Sequence, residues 1–346
     1  MTSIEIPASV TNIGQWAFGG CTSLNSVTIY APELSKYGYG YGAFYNNADG
    51  RKIYVFKNCL DTYKERAWKT DDDWGMGFYE DDFLPIESIN LKDNDENSSL
   101  IAAANEYAPA PLNVTLKDRT LYKDGAWNTL CLPFSLASLT GTPLAGATVK
   151  ELLTTSNLDG EGVLTLNFSD NLTAIEAGKP YIVKWSKDAG YDANPSNFDL
   201  VNPVFNGVTV SDDTNNVAFT GGSFKGTYEK MAFEAEDKSI LFVGAGNNLY
   251  WPKPSGDNIP SLGACRAYFQ LDFDAVGPGG GGVREFVLNF GDEEQPLSIS
   301  PVGERTEAFP QEGLDGVWYS LDGCKLSGKP TQKGLYIHGG KKVVIP

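Results

Sequence analysis

Residues 3–29 read SIEIPASVTNIGQWAFGGCTSLNSVTI. Ser3-Ile4-Glu5-Ile6 returns 23 residues later as Ser26-Val27-Thr28-Ile29, and Ile53-Tyr54-Val55 follows Val27-Thr28-Ile29 by 26. The interior markers move in step. Gly14-Gln15-Trp16-Ala17-Phe18 aligns with Gly40-Tyr41-Gly42-Ala43-Phe44, again 26 apart, so a three-residue insertion precedes Gly40. Strand side chains alternate, so each triplet turns its two outer residues to one side. The Ala-Phe pair returns apolar surface to the same interior. One coil cannot bury that face, but stacked coils can. The spacing predicts a solenoid of parallel coils. Ile4, Ile6, Val27, Ile29, Ile53 and Val55 should be buried in one stack, with Phe18 and Phe44 beneath them.

Leu24-x-x-Val27-x-Ile29 has the spacing of a leucine-rich repeat, and the period lies within that class. Residues 1–56 resemble the BspA-like leucine-rich repeat of bacterial surface proteins, whose pattern is IP-x-SVT-x-IG-x-x-AF-x-x-C-x-x-L-x-x-V-x-I. Later coils depart from it: Tyr30 stands where Pro is expected, and Gly50 where Leu is expected. Cys21 fits the inward ladder position. The resemblance implies a cell-surface or secreted protein that attaches to host matrix proteins or neighbouring bacteria. KNCLDTYKERAWKTDDDWG then closes the array. Asn58 and Asp61 have capping-box spacing, and Leu60, Tyr63 and Ala67 make the apolar stripe of a short lid helix. Met1 occupies the position of Leu24, so the first coil is expected to be open and the chain a fragment of a longer array.

Composition narrows the function. A formal net charge of −17 argues against nucleic acid or an anionic membrane surface as partner. Residues 61–96 hold twelve Asp/Glu against four Lys/Arg, a net −8. No apolar run reaches the length of a membrane-spanning helix, so no membrane insertion is expected. The five cysteines are dispersed, and His338 is the single histidine. That removes the usual recruits of metal sites and general-base catalysis, so no cofactor, metal or catalytic residue is assigned. Two carboxylates facing across a cleft could hydrolyse a glycoside, but nothing singles out a pair.

Tempting motifs fail on detail. LKDNDENSSLIAAA at 91–104 has Ser98 where a calcium loop needs Gly and Ala104 where it needs Glu, so it reads as a polar linker or a short capped helix. GPGGGG at 277–282 lacks the Lys-Ser/Thr of a phosphate loop and precedes a strand, so it reads as a hairpin loop. The acidic runs Asp71–Asp73 and Glu80–Asp82 read as a solvated rim. From residue 112 onward, strand signals recur every 8–15 residues with turns between them. They predict antiparallel pairing in a β-sandwich or jelly roll, without βαβ units. GAWNTLCLPF and GKPYIVK resemble a sandwich domain of Bacteroides-type secreted proteins. GLYIHGGKKVVIP reads as a hairpin closed by Gly339-Gly340, in a tail that resembles their short C-terminal modules.

The sequence thus predicts a mainly β chain. Residues 1–90 hold leucine-rich repeats with a capping helix, 91–292 a β-sandwich, and 293–346 a linker with a small β-module. The expected function is non-enzymatic adhesion. The candidate contact residues are Tyr37, Tyr39, Tyr41 and Tyr45, whose rings are spaced by Gly and Asn as in adaptable binding loops. The alternative is a carbohydrate-binding module, for which Tyr250 and Trp251 would have to lie side by side on a flat face.

Overall fold

The structure is a computed structural model. It describes residues 1–34, 42–66, 80–108, 110–160, 162–233, 237, 239–244, 247–252, 261–272, 283 and 285–290, together with the backbone of short strands between 297 and 345. The chain is mainly β and divides into two compact units, Met1–Thr306 and Glu307–Pro346.

The N-terminal sheet is parallel and runs in sequence order: β1 (Ser3–Ile6), β2 (Ser26–Ile29), β3 (Lys52–Val55) and β4 (Phe83–Pro85). Its register is the one the repeat dictates: Ile4 faces Val27, Val27 faces Ile53, and Ile53 faces Phe83. Val27, Ile29, Ile53 and Val55 are fully buried. Ile4 is only partly buried, because among the described residues β1 is an edge strand that pairs with β2 alone. Phe18 is also partly buried and stacks on the buried Phe44, with ring centroids 5.0 Å apart.

A lid helix follows, α1 (Leu60–Arg66). Tyr63 is buried beneath it and donates from its hydroxyl to the Ala31 carbonyl at 2.7 Å, which pins the helix to the second coil. The cap differs from the expectation. A 3-10 turn at Lys57–Cys59 precedes α1, and its N-cap is Phe56 without a side-chain cap bond, so Asn58 lies inside the turn. Ala67 lies outside the described residues.

Strand β5 (Ser88–Lys92), helix α2 (Ser98–Tyr107) and β6 (Leu112–Lys117) form a βαβ unit, with β5 and β6 parallel. This corrects the purely antiparallel expectation. The helix is short and buries only one stripe, Ile101, Ala103 and Ala104, so its periodicity is weak in the sequence. Asn97 caps it by position. Its amide turns back to bond Lys92 and the Tyr228 carbonyl. A second parallel pair joins Val163–Asn167 to Glu285–Asn289, strands too far apart in sequence for local turns to announce. The remaining ladders of this unit are mostly antiparallel, such as Gly222–Thr227 with Arg266–Leu271.

One hydrophobic core runs without a break from Ile6 and Val27 through Ile89, Ile101 and Val114 to Leu130 and Cys265. The coils therefore share their core with the β-structure that follows. A second core gathers Trp127, Leu164, Phe224, Phe269 and Leu288. In the other unit, Trp318–Tyr319, Lys325–Leu326, Gly334–His338 and Lys341–Ile345 make an antiparallel sheet in which His338 faces Lys341. The Gly339-Gly340 turn itself lies outside the described residues.

Candidate functional site

The turns opposite the strands carry the exposed aromatic rings of the coils. Both turns close the same way: Gly19 N–H donates to the Trp16 carbonyl and Tyr45 N–H to the Gly42 carbonyl, each at 3.0 Å. Phe18 N–H donates to Ala43 O and Gly20 N–H to Tyr45 O, both at 2.8 Å, which locks one turn onto the next. Inside the coils, Asn47 donates to the Phe18 carbonyl at 2.8 Å. Arg51 is 6 % exposed and donates to Phe44 O, to Asn47 Oδ1 and to Asp82 Oδ2. Burial pulls this guanidinium below its ordinary range, and Asp82 opposes the shift. The network fixes the carbonyls of Phe18 and Phe44, and so holds the turns from within.

Trp16 and Gly42 occupy the same repeat position, and both are left-handed, with φ of 57° and 64°. The coil demands that conformation. Glycine meets it freely, whereas a bulky residue is strained by roughly 1–2 kcal/mol. The Trp16 ring lies across the next coil. A methyl group on Gly42 would come within 2.8 Å of three of its ring carbons, and one on Gly19 within 2.9 Å. Tyr45 meets the indole edge-on at 5.6 Å and 81°. Trp16 remains 43 % exposed and Tyr45 39 %. The result is a rigid aromatic platform with a glycine floor.

Of the sequence candidates, the structure places Tyr45 in this platform. Tyr37, Tyr39 and Tyr41 lie outside the described residues. Tyr250 and Trp251 do not form a shared face, which corrects that expectation. They are consecutive on the strand Leu249–Pro252, so they point to opposite sides. Trp251 is 4 % exposed in the second core, and Tyr250 stacks on Phe242 at 6.1 Å. Sequence reasoning missed Trp16 because the repeat pattern leaves its position open. The signal was a tryptophan aligned with a glycine.

A buried polar centre lies elsewhere in this unit and is structural. Arg119, 2 % exposed, donates to the carbonyls of Ala264, Cys265 and Thr129 at 2.6–2.8 Å. Burial pulls it down to about 9, which leaves it charged at neutral pH. Asp93 pairs with Arg266 at 2.9 Å. Among the described residues, no group of three His, Cys, Asp or Glu side chains is placed to hold a metal ion, and no helix is long and apolar enough to cross a membrane.

No curated protein and no solved structure matches the chain. Residues 1–72 match the family described as BspA type leucine rich repeat region (6 copies). That span covers the first three strands, both turns of the aromatic platform and the lid helix. The chain therefore carries a BspA-type leucine-rich repeat region over residues 1–72.

Proposed function

We propose that the chain is a non-enzymatic part of a cell-surface or secreted adhesion protein, which binds host matrix proteins or proteins of neighbouring bacteria through its repeats. The observation that carries this reading is the Trp16–Tyr45 platform, two large rings exposed side by side in a BspA-type repeat region. Family members of this type are consistent with protein interaction and surface association. Repeat arrays present turn residues along one surface, and Trp and Tyr dominate binding energy at protein interfaces. The strands after residue 112, read as a sandwich body, act as the support on which the coils are mounted. The carbohydrate-binding alternative loses its platform with the burial of Trp251.

The test is binding of the immobilised chain to a panel of purified matrix proteins and to a glycan array. At least one matrix protein should bind, and Trp16→Gly or Tyr45→Ala should weaken that binding by about tenfold or more, the scale of a hot-spot truncation. Binding confined to glycans, or variants that bind matrix protein like the parent, would overturn the proposal.

A further inference from the structure

The backbone at Trp16 carries left-handed strain, which the packing of its ring offsets. The next coil fills the same position with Gly42, and the backbone is left-handed in both. Strained backbone clusters at ligand-binding sites, where it fixes a side chain before the ligand arrives. A ring needed only to cover the coil would be better placed deeper, yet this one is 43 % exposed. One side is set by the glycine floor and one edge by Tyr45. The exposed indole surface therefore has a fixed orientation before any partner arrives, which lowers the entropy lost on binding.

The face of an indole is the negative end of its quadrupole and attracts cations. The chain adds long-range attraction of the same sign: 44 acidic residues against 27 basic ones leave it at −17. The protein uses this pairing on its own rings. The Lys184 ammonium sits 4.6 Å from the Trp127 ring, and that of Lys123 sits 5.2 Å from Trp185.

We propose that the Trp16–Tyr45 platform is the seat for a cationic side chain, a guanidinium or an ammonium, on a basic segment of a protein partner. This rests on the reading that the coil turns face partners, and it names the chemistry they recognise. The charge of the chain attracts the segment, and the indole face selects the cation.

The experiment follows the indole N–H signals of the full chain by NMR, with Trp16 assigned through Trp16→Phe. Three probes are titrated: the peptide amide Gly-Arg-Gly-Arg-Gly, its citrulline counterpart, and a neutral cello-oligosaccharide. The arginine peptide should shift the Trp16 signal and bind about 3- to 10-fold more tightly than the citrulline peptide, the range set by one or two exposed cation–ring contacts. Added salt should weaken it. Trp16→Phe should keep part of the binding and Trp16→Gly none, with Tyr45→Ala as a second variant that leaves the backbone unstrained. Equal affinity for the arginine and citrulline peptides would overturn the proposal. So would a Trp16 shift caused by the oligosaccharide alone. If matrix proteins bind through the platform while the arginine peptide does not, the cation seat fails and the adhesion reading stands.

Discussion

Replacing Gly42 by alanine probes the contact between the Trp16 ring and the backbone of the next coil. The new methyl has two separable effects. The backbone at φ 64° is left-handed, which strains an L-residue by roughly 1–2 kcal/mol. The methyl also meets Trp16 ring carbons at 2.8 Å, an overpacking that adds ~1–3 kcal/mol. In the parent chain, Gly42→Ala should therefore destabilise the coils by about 2–5 kcal/mol. Trp16→Gly alone loses ~100 Å² of covered ring, about 2.5 kcal/mol, and adds a flexible residue at ~0.7 kcal/mol. Relief of the left-handed strain returns ~1.5 kcal/mol, so the net loss is about 2 kcal/mol. In the Trp16→Gly background, Gly42→Ala should keep only the backbone part, so the cycle should show a coupling of ~1–3 kcal/mol. The two units need not unfold together, so the assay is native-state hydrogen exchange at Val27–Ile29 and Ile53–Val55, which reads local opening. Additivity within ~0.5 kcal/mol would mean that the ring does not rest on Gly42.

Other outcomes follow from the same description. Among the described residues β1 pairs with β2 alone, so its amides should exchange faster than those of β2, and equal protection in a monomer would contradict its place at the edge. Burial raises Cys59 from 9.0 to about 11 and Cys265 to about 12. The unfolded chain loses these protons first, so this contribution is complete below pH 9 and declines as pH rises from there toward 11. A urea midpoint that rises from pH 8 to 10.5 would refute it, as would rapid labelling of either thiol in the native chain. EDTA should leave the thermal midpoint unchanged. A fall reversed by calcium would direct attention to Asp71–Asp82.

The coils were legible because their information is periodic. A strand triplet with inward Ile or Val, and an Ala-Phe pair at constant offset, specify parallel stacking without any knowledge of the rest of the chain. The pairing of Val163–Asn167 with Glu285–Asn289 was not legible, because no local pattern states which of many similar strands will be neighbours. Helix α2 was legible only as one of two readings, a linker or a short helix, because it is brief and follows a polar loop. In the candidate site, Tyr45 could be named from its Gly- and Asn-rich surroundings. Trp16 could not be ranked by composition, since its value comes from a backbone angle and from two glycines in different coils. The Tyr250-Trp251 pair shows the opposite error: adjacency in a strand separates rings and does not align them.

The continuous core has a consequence for the order of events during synthesis. Coil contacts close over separations of 23 to 30 residues, so they can form as soon as β4 is available. Arg119 must wait for Ala264 and Cys265, about 145 residues later, before its buried charge has acceptors. Closing so long a loop is slow, because its entropy is lost before any contact offsets it. Early in its life the chain should thus consist of finished coils whose C-terminal side, near Ile86 and Ile89, is still bare. A sticky apolar surface of that kind invites chaperones or neighbouring nascent chains. Pulse-labelling during refolding should find Val27–Ile29 protected well before Thr129–Leu132, with the delay removed in no variant that leaves Arg119 to find its distant carbonyls.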